Sequence, residues 1–390
     1  MSDRAQAAIA GFGMTELYKR GTATKTLAGL CCEAILAACR DAGISPHDID
    51  GFTSYADETP PDQLAEALGM HELRYAGAVF GGGGGGSCAA IGNAANAIAA
   101  GDAEIVVLYH AMRRTEERRY GGAAGLAYHP GSEWASPFGL MTPAQSFAMI
   151  VRRHMHEYGT KPEHLAALAI TQREHAVRNP LAKMRKPLTL EDYFAARIIA
   201  DPFRLFDCTL ENDGAAAIVV TSAARAADLA QPPAFVKAVS QGGPPSWANP
   251  LYDHNALPEI YPTAGHSTIA RNLYRKAGIG PADLDVAELY DHFTGMVLLQ
   301  LEDYGIAERG QAGAYVEAGH ARWDAGKVAV NTHGGNISEG NVHGTTHIIE
   351  AVRQLRGTSS SQVEGAELAL VTAGPSMIPS SSMILAKEAS

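Results

Sequence analysis

The stretch NTHGGNISEGNVHG, Asn331 to Gly344, sets four glycines and two histidines into fourteen residues, between the apolar run KVAV and the helical TTHIIEAVRQLRG. Such a loop can cradle a phosphate, bind a metal or surround a thioester carbonyl. A second constellation is AELYDHF, where Tyr290, Asp291 and His292 stand at the passage from a strand to a helix. Tyr290 can carry a proton if a helix N-terminus or a histidinium lowers its pKa; the alternative is a core aromatic with a satisfied hydroxyl. The third is the glycine run Gly81 to Gly86, directly before SCAAIGNAANAIAAG. Glycines at a helix start expose backbone N–H groups at its positive end, which suits an oxyanion; otherwise the run is only a tight turn.

Competing chemistries have weaker support. The glycine run lacks the Lys-Ser/Thr ending of a P-loop, and GFGMTE has Glu16 where a dinucleotide fingerprint needs its third glycine. His343 and His347 would share a helix face, with His333 nearby, but no carboxylate or cysteine stands at a third-ligand spacing, so no metal is expected. Cys88 follows glycines at a helix start, where a thiolate is favoured. It also lies on one helix face with Ile91, Ala95 and Ile98, which predicts a buried, inert thiol. Cys31, Cys32 and Cys39 sit in the apolar helix TLAGLCCEAILAACRDAG as small core residues.

The elements that must position these residues are built twice. RDAGISPHDIDGFTSY from Arg40 and RKAGIGPADLDVAELY from Arg275 each end a helix at Ala-Gly, turn through a proline and enter a strand. Downstream, each copy continues with a glycine loop, a helix, a glycine stop and an apolar strand. We therefore expect an α/β protein of two halves, residues 1–235 and 236–390, with sites where the loops of the halves meet. A loop subdomain at about 113–204, rich in Arg, His, Met and Tyr, is inserted into the first half and contains a helix from Pro143. DGAAAIVVTSAARA, from Asp213, closes that half. A Pro-rich segment, QGGPPSWANPLYDHNALPEIYP, precedes the second.

With 390 residues and 46% hydrophobic content the chain can bury one large or two ordinary cores, and no segment has the apolar length of a membrane span. A net charge of −11, with the one dense basic run MRRTEERRY interleaved with glutamates, argues against nucleic acid. The N-terminus has no secretory pattern and the five cysteines are unevenly spaced, so a reduced, cytoplasmic protein is expected.

NTHGGNISEGNVHG resembles the C-terminal signature of the thiolase superfamily, and AELYDHF resembles its Asn-Glu-Ala-Phe segment. MHEYG, NPLAKMRKPLT, IADPFRLFDCTLENDGAAA and EAVRQLRG are most similar to the lipid-transfer-protein branch of that superfamily. The resemblance implies a duplicated thiolase fold, layered α-β-α-β-α with an inserted loop subdomain. Aligned on IAAGDA, it sets Gly84, and not Cys88, at the acyl-accepting cysteine. Thr372 replaces the second cysteine, and Asn341 the Gly-His-Pro histidine. Without thiolase Claisen machinery, the activity implied is that of the branch's aldolases, which shorten steroid side chains as CoA thioesters and work with a small OB-fold partner.

The expected reaction is retro-aldol cleavage of a β-hydroxyacyl-CoA, with coenzyme A as part of the substrate and no covalently bound cofactor. Tyr290, His292, Asn341 and His343 are the expected catalytic residues; Gly83, Gly84, Gly85, His333, Gly334, Gly335 and Ser338 are expected to bind substrate. Loop amides, with His343 or His333, would hold the enolate oxygen. A second tyrosine is expected by resemblance at Asn341, and its absence motivates an alternative, a non-catalytic acyl-CoA-binding or scaffolding subunit. A Claisen-type acyltransferase using Cys88 is the third reading. A homodimer follows from the resemblance and from the need to cover a sheet edge.

Overall fold

A computed structural model describes residues 6–55, 59–80, 83–113, 135–244, 258–376 and 379–389. Gly81, Gly82, nearly all of the basic run and most of the Pro-rich segment fall outside them. Strand β1 (Ala7–Met14) and the short β2 (Tyr18–Lys19) lead to helix α1 (Leu27–Ala42), which Thr26 caps by accepting from the Gly29 N–H and which Gly43 ends at a φ of 73°. Leu30, Ala34, Ile35 and Ala38 recur at helical spacing and are buried against the sheet. A Cβ on Gly11 would lie 2.7 Å from the Ala38 carbonyl, and one on Gly13 would enter the α1 backbone. The spaced glycines of GFGMTE thus serve close helix-on-strand packing.

The first half continues through β3 (Gly51–Tyr55), α2 (Pro61–Leu68) and β4 (Tyr75–Val79) to a 3-10 turn at Gly83–Gly86, then α3 (Ser87–Ala100) and β5 (Ile105–Met112). The inserted segment contains α4 (Pro143–Tyr158), α5 (Pro162–Arg178), α6 (Leu190–Ala195) and a hairpin of β6 (Ile198–Ala200) and β7 (Phe203–Arg204). The helix expected from Pro143 starts there. Strand β8 (Asn212–Ser222) returns to the main sheet, followed by β9 (Ala234–Gly242).

The second half repeats the path: α7 (Ser267–Ala277), β10 (Val286–Glu288), α8 (Thr294–Asp303), α9 (Ala312–Glu317), β11 (Ala329–Val330), the one-turn α10 (Gly335–Ser338), α11 (Thr345–Arg356), β12 (Leu368–Ala373) and β13 (Ser380–Ala386). Both copies of the doubled segment fold alike. Gly43 and Gly278 end α1 and α7 in the left-handed region, 3-10 turns follow at Pro46–Asp48 and Pro281–Asp283, and β3 and β10 come next.

The strand order, β11-β10-β12-β13-β9-β1-β8-β5-β3-β4, is a mirror about the β9–β1 pair. In each half a central strand, β3 or β10, runs parallel to both neighbours. Three apolar cores separate the layers. One lies under α1 and α2, one holds α3 and α11 between the two halves of the sheet, and one lies under α4, α5, α7 and α8. The fold is the layered α-β-α-β-α arrangement with an inserted subdomain.

Candidate active site

Tyr290 stands just beyond β10, where the strand ends and the chain turns toward α8. Its N–H donates to Thr372 Oγ1 (2.9 Å), its carbonyl accepts from Gln300 Nε2 (2.9 Å), and Thr372 Oγ1 donates to Gln300 Oε1 (2.5 Å). Thr372 therefore holds the tyrosine backbone. Asn331, at a φ of 51°, accepts from the Leu289 N–H (2.6 Å) and donates from Nδ2 to the Leu289 carbonyl (2.9 Å), fixing the residue before it.

Glycines from both halves close on the ring. A Cβ on Gly84 would run into the Tyr290 ring and lie 2.5 Å from its hydroxyl oxygen. Gly344, at a φ of 87°, has no room for one either: it would lie 3.0 Å from Tyr290 Cδ2 and 3.1 Å from Ser87 Oγ. The tyrosine thus occupies the space that a side chain at position 84 would need, beside the start of α3, whose first-turn N–H groups carry the positive end of the helix dipole. Gly85 has the Pro379 carbonyl against it and accepts from Ser381 Oγ (2.5 Å). Gly83 opens the same turn.

Asp291 is consumed in structure. Its carboxylate accepts from the N–H groups of Asn336 (2.8 Å) and Ile337 (3.2 Å), from Gln172 Nε2 (2.9 Å) and from His347 Nε2 (3.0 Å), and Gly335 has no Cβ because this carboxylate fills the space. His292 follows with its ring 5.5 Å from that of Tyr290. Burial, with His266 nearby, pushes its pKa down to about 3, and neither ring nitrogen has a partner among the described residues. Both polar atoms of the buried Asn336 side chain are in the same condition. A buried polar atom left unpaired costs about 1–3 kcal/mol. These groups favour a polar occupant.

His343 precedes α11 at a φ of 46°, so the helical face it was expected to share with His347 does not exist. The two rings part: His347 goes to Asp291, and His343 Nδ1 lies 3.0 Å from His110 Nε2 on β5. Among the described residues no group of three metal-ligating side chains forms. Asn341 accepts from the His343 N–H at Oδ1 (2.7 Å), and its own N–H donates to Asn212 Oδ1 (2.6 Å), so it sets the backbone that carries His343.

Other residues expected to bind substrate are engaged elsewhere. His333 Nδ1 lies 2.9 Å from Glu288 Oε2 and Nε2 3.7 Å from Glu339 Oε2; burial lowers its pKa, but the two carboxylates prevail and hold it up at about 10. Gly334 packs on Ala176 of α5, and Ser338 Oγ accepts from Arg173 Nε (3.1 Å). His333 is thus the basic member of a buried acid cluster, and of the two candidate histidines His343 is the one that precedes Gly344, whose backbone meets the Tyr290 ring. Cys88 is buried as expected, its thiol donating to the Val371 carbonyl (3.6 Å) and its pKa pushed up to about 12 by desolvation.

Sequence reasoning missed His110, Tyr55 and Asn336. His110 lies within an otherwise apolar strand, IVVLYHAM, in which all eight residues are buried. A titratable side chain there was the available signal.

Residues 252–387 match the family described as Thiolase C-terminal domain-like. Over 394 residues the chain is 40% identical to a steroid side-chain-cleaving aldolase from Thermomonospora curvata, with 97% of each chain covered. It is 41% identical to a 17-hydroxy-3-oxo-4-pregnene-20-carboxyl-CoA lyase from Mycobacterium tuberculosis, covering 97% of this chain and 99% of that one. The solved structure of an Ltp2-ChsH2(DUF35) aldolase superposes with a TM-score of 0.90 at 40% identity over 98% of both chains. Human mitochondrial 3-ketoacyl-CoA thiolase, at 15% identity and a TM-score of 0.69 over 99% of both, shares the fold. The chain belongs to the thiolase superfamily, in its lipid-transfer-protein branch, and is a carbon–carbon lyase of thiolase fold.

Proposed function

We propose that the protein cleaves a β-hydroxyacyl-CoA by a retro-aldol reaction, with a steroid or other lipid side chain as the acyl group. The observation that carries this reading is Gly84 against Tyr290: the space where an acyl-accepting side chain would start holds a phenol. In the reaction the β-hydroxyl O–H bond breaks and its proton goes to the site. The electron pair of the Cα–Cβ bond moves into the thioester as an enolate, and the β-carbon leaves as a ketone or aldehyde. The N–H groups at the start of α3 and in the loop before it hold the enolate oxygen, and Tyr290 handles the β-hydroxyl proton. His292 stays neutral and, with Asn336, offers hydrogen bonds to polar groups of the substrate.

Tyr290→Phe tests this with 17-hydroxy-3-oxo-4-pregnene-20-carboxyl-CoA, the compound in the lyase relative's name, as probe. Turnover should fall about 10²- to 10⁴-fold with little change in KM. Turnover equal to that of the unmodified protein removes Tyr290 from the chemistry.

The 40% identical aldolase of known structure is an Ltp2-ChsH2(DUF35) aldolase, and this supports a small OB-fold partner for the present chain. We propose further that the working unit contains a homodimer joined near the edge strand β4, after which Phe80 is 94% exposed, and that it works in the cytoplasm. All five cysteines are free thiols, and among the described residues no helix is long and apolar enough to cross a membrane. Light scattering that finds only monomer at micromolar concentration would contradict the dimer. The mirrored strand order supports two halves meeting near residue 235, with the inserted subdomain in the first.

A further inference from the structure

One basic run in the inserted subdomain has no role in the site described so far. In NPLAKMRKPLT the side chains of Lys183, Arg185 and Lys186 are exposed, and none has an ion-pair or hydrogen-bond partner among the described residues. Asp192, whose charge Lys186 helps to stabilise, gives its carboxylate to the Thr189 N–H (3.2 Å) and hydroxyl (2.8 Å). Elsewhere on the surface arginines find anions, Arg225 with Glu104 and Arg322 with Glu174. Three unpaired cations within four residues repel one another, and they do so in a chain of net charge −11.

The run is also held in place. Ala182 and Leu188 are buried on either side of it. The Lys183 and Met184 N–H groups donate to the carbonyls of Glu339 (2.9 Å) and Ser338 (3.0 Å), in the loop that carries Asn336, Asn341 and His343. Arg173 of α5, only 4% exposed, joins the two: Nε donates to Ser338 Oγ (3.1 Å) and Nη1 to the Lys186 carbonyl (3.1 Å). Its Nη2 donates to nothing among the described residues, and burial lowers its pKa with no anion to offset the cost. A buried cation is ordinarily paired. Four positive groups on one anchored segment suit phosphate, which takes charge-assisted hydrogen bonds from Lys and Arg.

The segment is also near the reacting end. Asp291, next to Tyr290, accepts from the Asn336 N–H (2.8 Å), and Ser338, less than one helical turn further on, accepts from Met184. A pantetheine arm has about as many bonds as four or five extended residues and spans roughly 15 Å.

We infer that Lys183, Arg185 and Lys186 form the site for the phosphate groups of the substrate's coenzyme A, and that Arg173 is a positioning residue that anchors them and adds its own charge. The run gives an acidic protein a local attraction for a polyanionic substrate.

This inference rests on the CoA-thioester reading above, and the test separates their failures. The unmodified chain and the triple variant Lys183→Gln, Arg185→Gln, Lys186→Gln are assayed with the partner subunit on two substrates. One is the CoA thioester probe, and the other is its pantetheine counterpart, with the same acyl group and no phosphate. The three side chains are exposed and unpaired, so the variant should melt at the same temperature. The preference for the CoA form, as a ratio of kcat/KM values, should fall about 10-fold, through KM. Added salt should lower the ratio less in the variant than in the unmodified chain. Arg173→Met should reduce the same ratio and Arg173→Lys should reduce it less; a ratio unchanged in Arg173→Met removes Arg173 from the site. An unchanged ratio in the triple variant overturns the site, and an unchanged ratio with loss of the partner on gel filtration makes the run a protein interface instead. If the unmodified protein cleaves neither thioester, the retro-aldol reading fails, and calorimetry with coenzyme A alone still decides the site. Weaker binding by the triple variant upholds it; equal binding, or none by the unmodified chain, overturns it.

Discussion

The loop into α3 is a 3-10 turn of four consecutive glycines, whereas the loop into α11 carries His333, Asn336, Glu339, Asn341 and His343, all buried. The two loops occupy equivalent steps of the doubled chain path and lead into the two helices of the central layer. One contributes backbone amides and empty space, and the other contributes groups that titrate or hydrogen-bond. Duplication therefore fixed where a site can form, and the halves then diverged in what they bring to it.

The largest effect expected from disturbing this division is at position 84. Gly84→Cys puts a side chain where Tyr290 stands, and a displaced reacting group costs about 100-fold or more in turnover. Mass spectrometry after incubation with acyl-CoA should find no acyl adduct on the new thiol. An adduct with residual transfer activity would show that the glycine loop still supports nucleophilic chemistry.

On the other side of the comparison, His333→Gln leaves Glu288 buried without its cation, while Glu339 keeps only Arg353 Nη1 at 3.9 Å, and Glu350 nearby is a carboxyl whose pKa is raised by burial and by Glu288. Breaking such a cluster costs about 3–5 kcal/mol, measurable by denaturant unfolding. The pH dependence of stability should have two limbs of opposite sign. His333 is raised to about 10, so its contribution is complete below 6.5 and is lost as pH rises through about 10. His175 and His266, lowered to about 4, and His292, lowered to about 3, contribute above 6.5 and lose that contribution as pH falls toward those values. Melting temperature should therefore decline on both sides of near-neutral pH, and His333→Gln should flatten the alkaline limb; an unchanged alkaline slope would argue that His333 is not charged in the fold.

The smallest effect belongs to Cys88. Cys88→Ser should leave turnover unchanged and cost about 1 kcal/mol in stability, because the hydroxyl can still donate to Val371. A large loss of turnover would return a thiol to the mechanism.

Much of the scaffold was legible because local signals are strong: Ala-Gly helix ends, proline turns and apolar strands repeated in the same order at Arg40 and Arg275. Gly84 was legible only by alignment with a family pattern, and the structure supplies its reason in the Tyr290 ring. The polar loop was harder. Its residues sit next to one another in sequence, yet His333 turns to Glu288, Ser338 to Arg173 and His343 to His110, and these partners lie 45, 165 and 233 positions away. Periodicity misassigned His343 and His347 to one face because Gly344 starts the helix only after His343 has left it in a left-handed conformation.

Asn331 has a consequence of its own. Beyond β10 the parallel ladder with β11 has run out of residues, and the Asn331 amide supplies one more rung, donating and accepting on Leu289 as a peptide group would. The last residue before Tyr290 is thus clamped by a side chain at the point where a strand end would otherwise fray. Removing the amide while keeping its volume, as in Asn331→Leu, would leave both Leu289 groups unpaired and let the phenol swing on a longer lever. The placement of that ring begins as a problem of how a sheet ends.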